Sequence, residues 1–119
     1  MDRIQRDVLI AAPPEVVWEV VTEPEHVRQW MSDAAFEARA GTTGTIGTHE
    51  IRIEDVEPPR RFSFRWESLL VEFTLSEEDG GTRLSLVESG FEGRGGYRAE
   101  HEGGWTKFLA QLREYAEVR

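Results

Sequence analysis

The stretch RFSFRWESLLVEFTLSEEDGGTRLSLVES, Arg61 to Ser89, decides the fold. Phe62, Phe64 and Trp66 alternate with Arg61, Ser63 and Arg65. Leu69, Val71, Phe73 and Leu75 alternate with Leu70, Glu72, Thr74 and Ser76, and Leu84, Leu86 and Glu88 continue one face of a last strand. A period of two is the signature of half-buried strands. Asp79-Gly80-Gly81 supplies a hairpin turn. Strands joined by short hairpins form an antiparallel sheet with one apolar face that needs a cover.

Upstream, His49, Ile51 and Ile53 share one face of another strand, and Glu50, Arg52 and Glu54 the other. Glu57-Pro58-Pro59-Arg60 must break the ladder, because proline donates no hydrogen bond. Gly41, Gly44 and Gly47 read as a turn region, and Phe36 sits in a short strand. Thr22-Glu23-Pro24-Glu25 reads as a capping box opening a short helix that runs to Trp30. Val16, Val17, Val20 and Val21 predict a helix over 14–21, with proline well placed in its first turn. Ile4, Val8 and Ile10 predict a first strand over 3–11.

Downstream, the glycine-rich segment Gly90–Gly96 reads as a mobile loop. A long helix follows, from about Tyr97 to Val118. Trp105, Phe108, Leu109, Leu112 and Ala116 form its apolar face at helical spacing. His101 lies one turn before Trp105 on that face. At ~1.5 Å per residue such a helix spans about 33 Å, enough to cross a sheet. The expected fold is α+β: a curved antiparallel sheet of about six strands wrapped around the C-terminal helix, with two short helices after strand 1.

The chain has 119 residues, with 23 Asp+Glu, 14 Lys+Arg and a net charge of −9. That length predicts one domain over 1–119. The absence of cysteine excludes disulfides, thiol catalysis and zinc-finger or iron–sulfur sites. The acidic balance argues against nucleic acid and anionic membrane as partners. The apolar runs are far shorter than the ~20 residues of a membrane span. The N-terminus has no apolar signal region, so a cytoplasmic protein is expected.

The segments VLIAAPPEVVWEVVTEPEHVRQW (Val8 to Trp30), VEPPRRFSFRW (Val56 to Trp66), TRLSLVESGF (Thr82 to Phe91) and GWTKFLAQLREYAE (Gly104 to Glu117) occur in an order that resembles a known family. The resemblance is to the AHSA-type branch (activator of heat-shock-protein-90 ATPase homologue, C-terminal-domain-like) of the START/Bet v 1-like, or SRPBCC, superfamily. It implies the helix-grip fold, with a hydrophobic cavity between sheet and C-terminal helix. It implies no universal catalytic residue. The segment Gly41–Val56 is shorter than is usual in the family, which implies a smaller cavity mouth.

The inward registers collect Trp30, Phe36, His49, Ile51, Phe62, Phe64, Trp66, Val71, Phe73, Leu86, Glu88, His101, Trp105, Phe108 and Leu112. They form either a filled core or an aromatic-walled pocket for a small ligand. Crowding many large aromatics on a curved sheet favours gaps between them. Glu88 is the one inward charge, and a buried carboxylate needs a partner. His49 and His101 are the inward candidates for that donor. Such a group is a satisfied polar pair or rim residue, a handle that orients a ligand, or half of an acid–base pair. The spacing of these three residues matches no metal motif, so neither metal nor cofactor is expected. Gly41-x-x-Gly44-x-x-Gly47 fails as a phosphate loop, since no Lys-Ser/Thr follows and no helix opens. Arg61 and Arg65 read as outer-face cross-strand pairs, and His26 as a surface residue.

Three functions fit these residues. The first is a non-enzymatic module binding a small apolar or aromatic molecule. The second is a co-chaperone acting on the heat-shock-protein-90 ATPase, as the resemblance implies. The third is a cyclase- or hydrolase-type enzyme using the same cavity. The expected assembly is a monomer or a homodimer.

Overall fold

A computed structural model describes residues 3–119. The elements run β1 (Ile4–Ile10), α1 (Pro14–Thr22), α2 (Pro24–Trp30), β2 (Ala34–Ala35), β3 (Thr43–Ile46), β4 (His49–Glu57), β5 (Arg61–Trp66), β6 (Leu69–Glu78), β7 (Gly81–Ser89) and α3 (Gly95–Glu117). All strands pair antiparallel in one sheet of seven, ordered β1-β7-β6-β5-β4-β3-β2. Strands after β1 follow one another as neighbours, and β1 closes against β7 at the far edge.

The alternation places its apolar residues as expected. Phe62, Phe64, Leu69, Val71, Phe73, Leu75, Leu84 and Leu86 are all buried. Trp105, Leu109, Leu112 and Ala116 of α3 are buried in the same core, so α3 covers the sheet. Phe73 and Trp105 meet edge to face across that interface, 5.9 Å between ring centroids. Residues Asp79 and Gly80 form the two-residue β6–β7 loop with φ of 52° and 81°. Both values are positive, as the turn that matches strand twist requires.

Several local readings change. Phe36 lies just past β2 and not in a strand, and α3 begins at Gly95, inside the segment expected as a loop. The glycine region holds β3, which is why the sheet has seven strands and not about six. Gly44 lies inside β3 because a Cβ there would meet Ala35 O at 2.5 Å and Phe36 Cβ at 2.6 Å. The capping box does not form. Thr22 is still helical, and its hydroxyl donates to Trp18 O at 2.7 Å. Glu23 is the N-cap, and Pro24 starts α2. His26 is not a surface residue: it is half-buried, with Nδ1 2.7 Å from Tyr115 Oη. Arg61 does form its outer-face pairs, at 2.7 Å to Glu72 and 3.4 Å to Asp55. Among the described residues no helix is long and apolar enough to cross a membrane.

Candidate functional site

The inward aromatic residues divide into two groups. Trp30, Phe36, Phe62, Phe64 and Phe73 meet one another in the interior, with Phe36 stacked on Phe62 at 6.0 Å and Trp30 edge-on to Phe73 at 6.4 Å. Trp30 donates from its indole N–H to Val20 O at 2.9 Å. The space left among them, under α2, is about 10 Å³. A volume of that order admits at most about one water molecule. The gaps expected from crowding aromatics on a curved sheet are therefore closed here by edge-on and tilted ring contacts. Ile51, Val71 and Leu86 are likewise core residues.

The second group lies where α3 passes the end of β5. Trp66, Glu100, His101, Gly104, Trp105 and Phe108 line a cleft of about 190 Å³. Glu88 lies directly behind it. Its side chain is fully buried, next to Leu86 on β7 and opposite Val71 on β6. His101 and Trp105 stand four residues apart on α3, so both project from one helix face. The Trp105 indole N–H donates to Glu88 Oε1 at 2.7 Å. Nδ1 of His101 lies 3.0 Å from Oε1 and 3.2 Å from Oε2.

Opposing effects act on the carboxyl. Burial pushes the Glu88 carboxyl up from its ordinary value, while the Trp105 N–H and His101 hold it down. Oε1 is the closer oxygen to both nitrogens. With Glu88 ionised, Oε1 accepts from both nitrogens, and on that hydrogen-bond pattern the tautomer with the proton on Nδ1 is assigned. The imidazole is packed on its other sides by Tyr97 at 4.4 Å, Phe91 at 5.5 Å and Trp66 at 5.9 Å between centroids. The result is a clamped imidazole with its second nitrogen, Nε2, available to the cleft.

His49 does not join this pair. It occupies the first position of β4, where its side chain reaches solvent, and Nδ1 sits 3.2 Å from Glu67 Oε2. Strand alternation gives the face of a residue but not its depth, and His49 is on the correct face at the exposed end. Phe91 and Tyr97 belong to the imidazole's packing and lie outside the inward registers that the sequence displays. Phe91 is fully buried although it follows the glycine of an irregular segment. Tyr97 stands one turn before His101, a spacing that could have flagged it.

Elsewhere, Glu23, Glu25 and His26 bring one potential ligand atom each within 4.8 Å of one another. His26 Nδ1 is already engaged by Tyr115, and none of the three residues lines the cleft.

The model of the family described as activator of Hsp90 ATPase homolog 1-like protein matches residues 11–117. No curated protein matches the sequence. CalU16 from Micromonospora echinospora is 29% identical, with a TM-score of 0.82, over 96% of this chain and 75% of that one. BH1534 from Bacillus halodurans is 26% identical, with a TM-score of 0.86, over 98% of this chain and 100% of that one. The Aha1 dimer from Colwellia psychrerythraea shares the fold at 18% identity and a TM-score of 0.88, over 99% of this chain and 98% of that one. With four ordered sequence segments, a helix-grip architecture and a family match across nearly all of its length, the chain belongs to the activator of Hsp90 ATPase homolog 1-like (AHSA1) family.

Proposed function

We propose that this protein is a binding module that holds a small aromatic molecule in the cleft bounded by Trp66, Gly104, Trp105 and Phe108, with His101 at its base. The observation that carries this reading is a fully buried carboxylate aimed, through a clamped imidazole, at a cleft with aromatic walls. Polar groups are expensive to place in a core and are kept few where only packing is needed. Ligand sites combine apolar walls with a small number of such fixed polar groups. The volume suits one aromatic ring with a substituent, since a dry cavity of about 150 Å³ is enough for benzene. The filled interior supports a site at the helix edge and not between sheet and helix. Toluene is the simplest probe. It should shift the amide and indole resonances of Trp66, Gly104 and Trp105 in an NMR titration of the full chain. Shifts confined to other parts of the molecule, or none up to toluene's solubility, would remove the reading.

The family match supports a second reading, contact with the heat-shock-protein-90 ATPase. A relative that shares the fold is a dimer, so a homodimer of this chain is part of that proposal. A pull-down with that chaperone, and ATPase rates with and without this protein, separate it from the first reading.

A further inference from the structure

We propose that the cleft selects phenols: an aromatic ring lies against Trp66, Trp105 and Phe108 while its hydroxyl donates to Nε2 of His101. The proposal rests on the binding reading above and names the class of ligand.

The argument begins at the buried end. In the tautomer assigned from the hydrogen-bond pattern, with Nδ1 donating to the Glu88 carboxylate, the imidazole presents its lone pair on Nε2. Nε2 has no hydrogen-bond partner among the described residues, and no unpartnered side-chain nitrogen or oxygen is sealed from solvent. In that tautomer it is a free acceptor at the cleft. A carboxylate on the far nitrogen strengthens it in that role, as it does for metal-bound histidines. Contacts from Tyr97, Phe91 and Trp66 hold the ring in place, so the direction of the lone pair is fixed.

The remaining lining removes other ligand classes. Glu100 is the charged group on the cleft wall, and no lysine or arginine lines it among the described residues. Carboxylates and phosphates would meet negative charge with no cation to receive them. Polar aliphatic molecules would leave hydroxyls unpaired against indole and phenyl surfaces. A purely apolar ring would fit the walls but leave Nε2 covered and unpartnered, at a cost. A phenol satisfies both surfaces with one group of each kind.

The test compares p-cresol with 4-methylanisole, its O-methyl ether, by NMR titration of the full-length chain. The ether keeps the ring and loses the donated hydrogen. We expect p-cresol to bind about tenfold more tightly, as one net hydrogen bond implies. The variant His101→Phe retains an aromatic side chain in the stack. In it the two probes should bind alike. Glu88→Gln should narrow the preference without abolishing ring binding. Equal affinity of the two probes for the wild-type protein overturns the phenol inference and leaves the apolar cleft standing. A preference that survives in His101→Phe also overturns it. Binding of neither probe at this cleft would take down the binding reading and the phenol inference together.

Discussion

Glu88 is the one fully buried charged side chain among the described residues. It interrupts the run Leu84, Leu86 at the next inward position, so its burial followed from period two alone. The structure adds that its carboxylate takes the Trp105 N–H at 2.7 Å and the His101 Nδ1–H at 3.0 Å. The direction of its proton affinity makes a testable statement. A carboxyl whose folded value is raised by burial contributes stability that is present below its unfolded value and lost as pH rises through the folded one. Glu102 and Glu117 are shifted the other way, by Arg6 and by the Ala11 N–H, and contribute in the opposite sense. The difference between wild type and Glu88→Gln separates the Glu88–His101 pair from the other carboxylates. Urea unfolding at a series of pH values from 4 to 8 should show Glu88→Gln gaining on the wild type as pH rises above the ordinary carboxylate range. A difference that does not vary with pH would mean that the carboxyl titrates alike in both states.

At the scale of elements, segments with a clear periodicity were readable, the short helices α1 and α2 among them, and β3 was not. β5, β6, β7 and α3 each carry several periods of a clear pattern, and their residues fell where the pattern put them. β3 is four residues with a glycine in it, so its signal resembles a turn. The reason for that glycine is tertiary: Ala35 O and Phe36 Cβ occupy the place of its missing side chain. Gly103 in α3 offers a contrast, since nothing lies within 4 Å of a Cβ added there. Gly44→Ala should destabilise by about 1–3 kcal/mol, because the clash is with backbone and cannot swing away. Gly103→Ala should stabilise by about 0.5–1 kcal/mol through helix propensity. Chemical denaturation of the two variants reads both values, and a shared sign would show that local propensity and not close approach governs Gly44. The site was legible to the same degree. Glu88, His101 and Trp105 share registers that the sequence displays, whereas the clamp by Phe91 depends on how an irregular segment folds back. Trp105 links core and site. Trp105→Ala should cost about 3–5 kcal/mol, since it removes a large buried ring and one of the donors to Glu88. A denaturation midpoint close to that of the wild type would show that α3 does not pack through this residue.

For the whole molecule, the question is where a helix-grip fold keeps its free volume. The sheet and α3 enclose an aromatic core in which Phe62 touches Trp18, Phe36 and Phe64. Only about 10 Å³ remains beside these rings, and the larger space lies outside, at the edge of α3. A packed interior of this kind transmits no room to a ligand unless a ring is removed. Phe62→Ala supplies that room. It should destabilise by about 3–5 kcal/mol, with the loss set by how far the neighbours relax into the gap. Benzene should then raise the melting temperature of Phe62→Ala, because an apolar cavity of that size stays dry and binds it. The wild type should gain far less, since its interior leaves no room for benzene. Chemical shifts should separate the two sites, with Phe36 and Phe64 responding in the variant and Trp66 and Gly104 in the wild type. If benzene instead perturbs Phe36 and Phe64 in the wild type, the interior opens in solution and the ligand site moves to the space between sheet and helix.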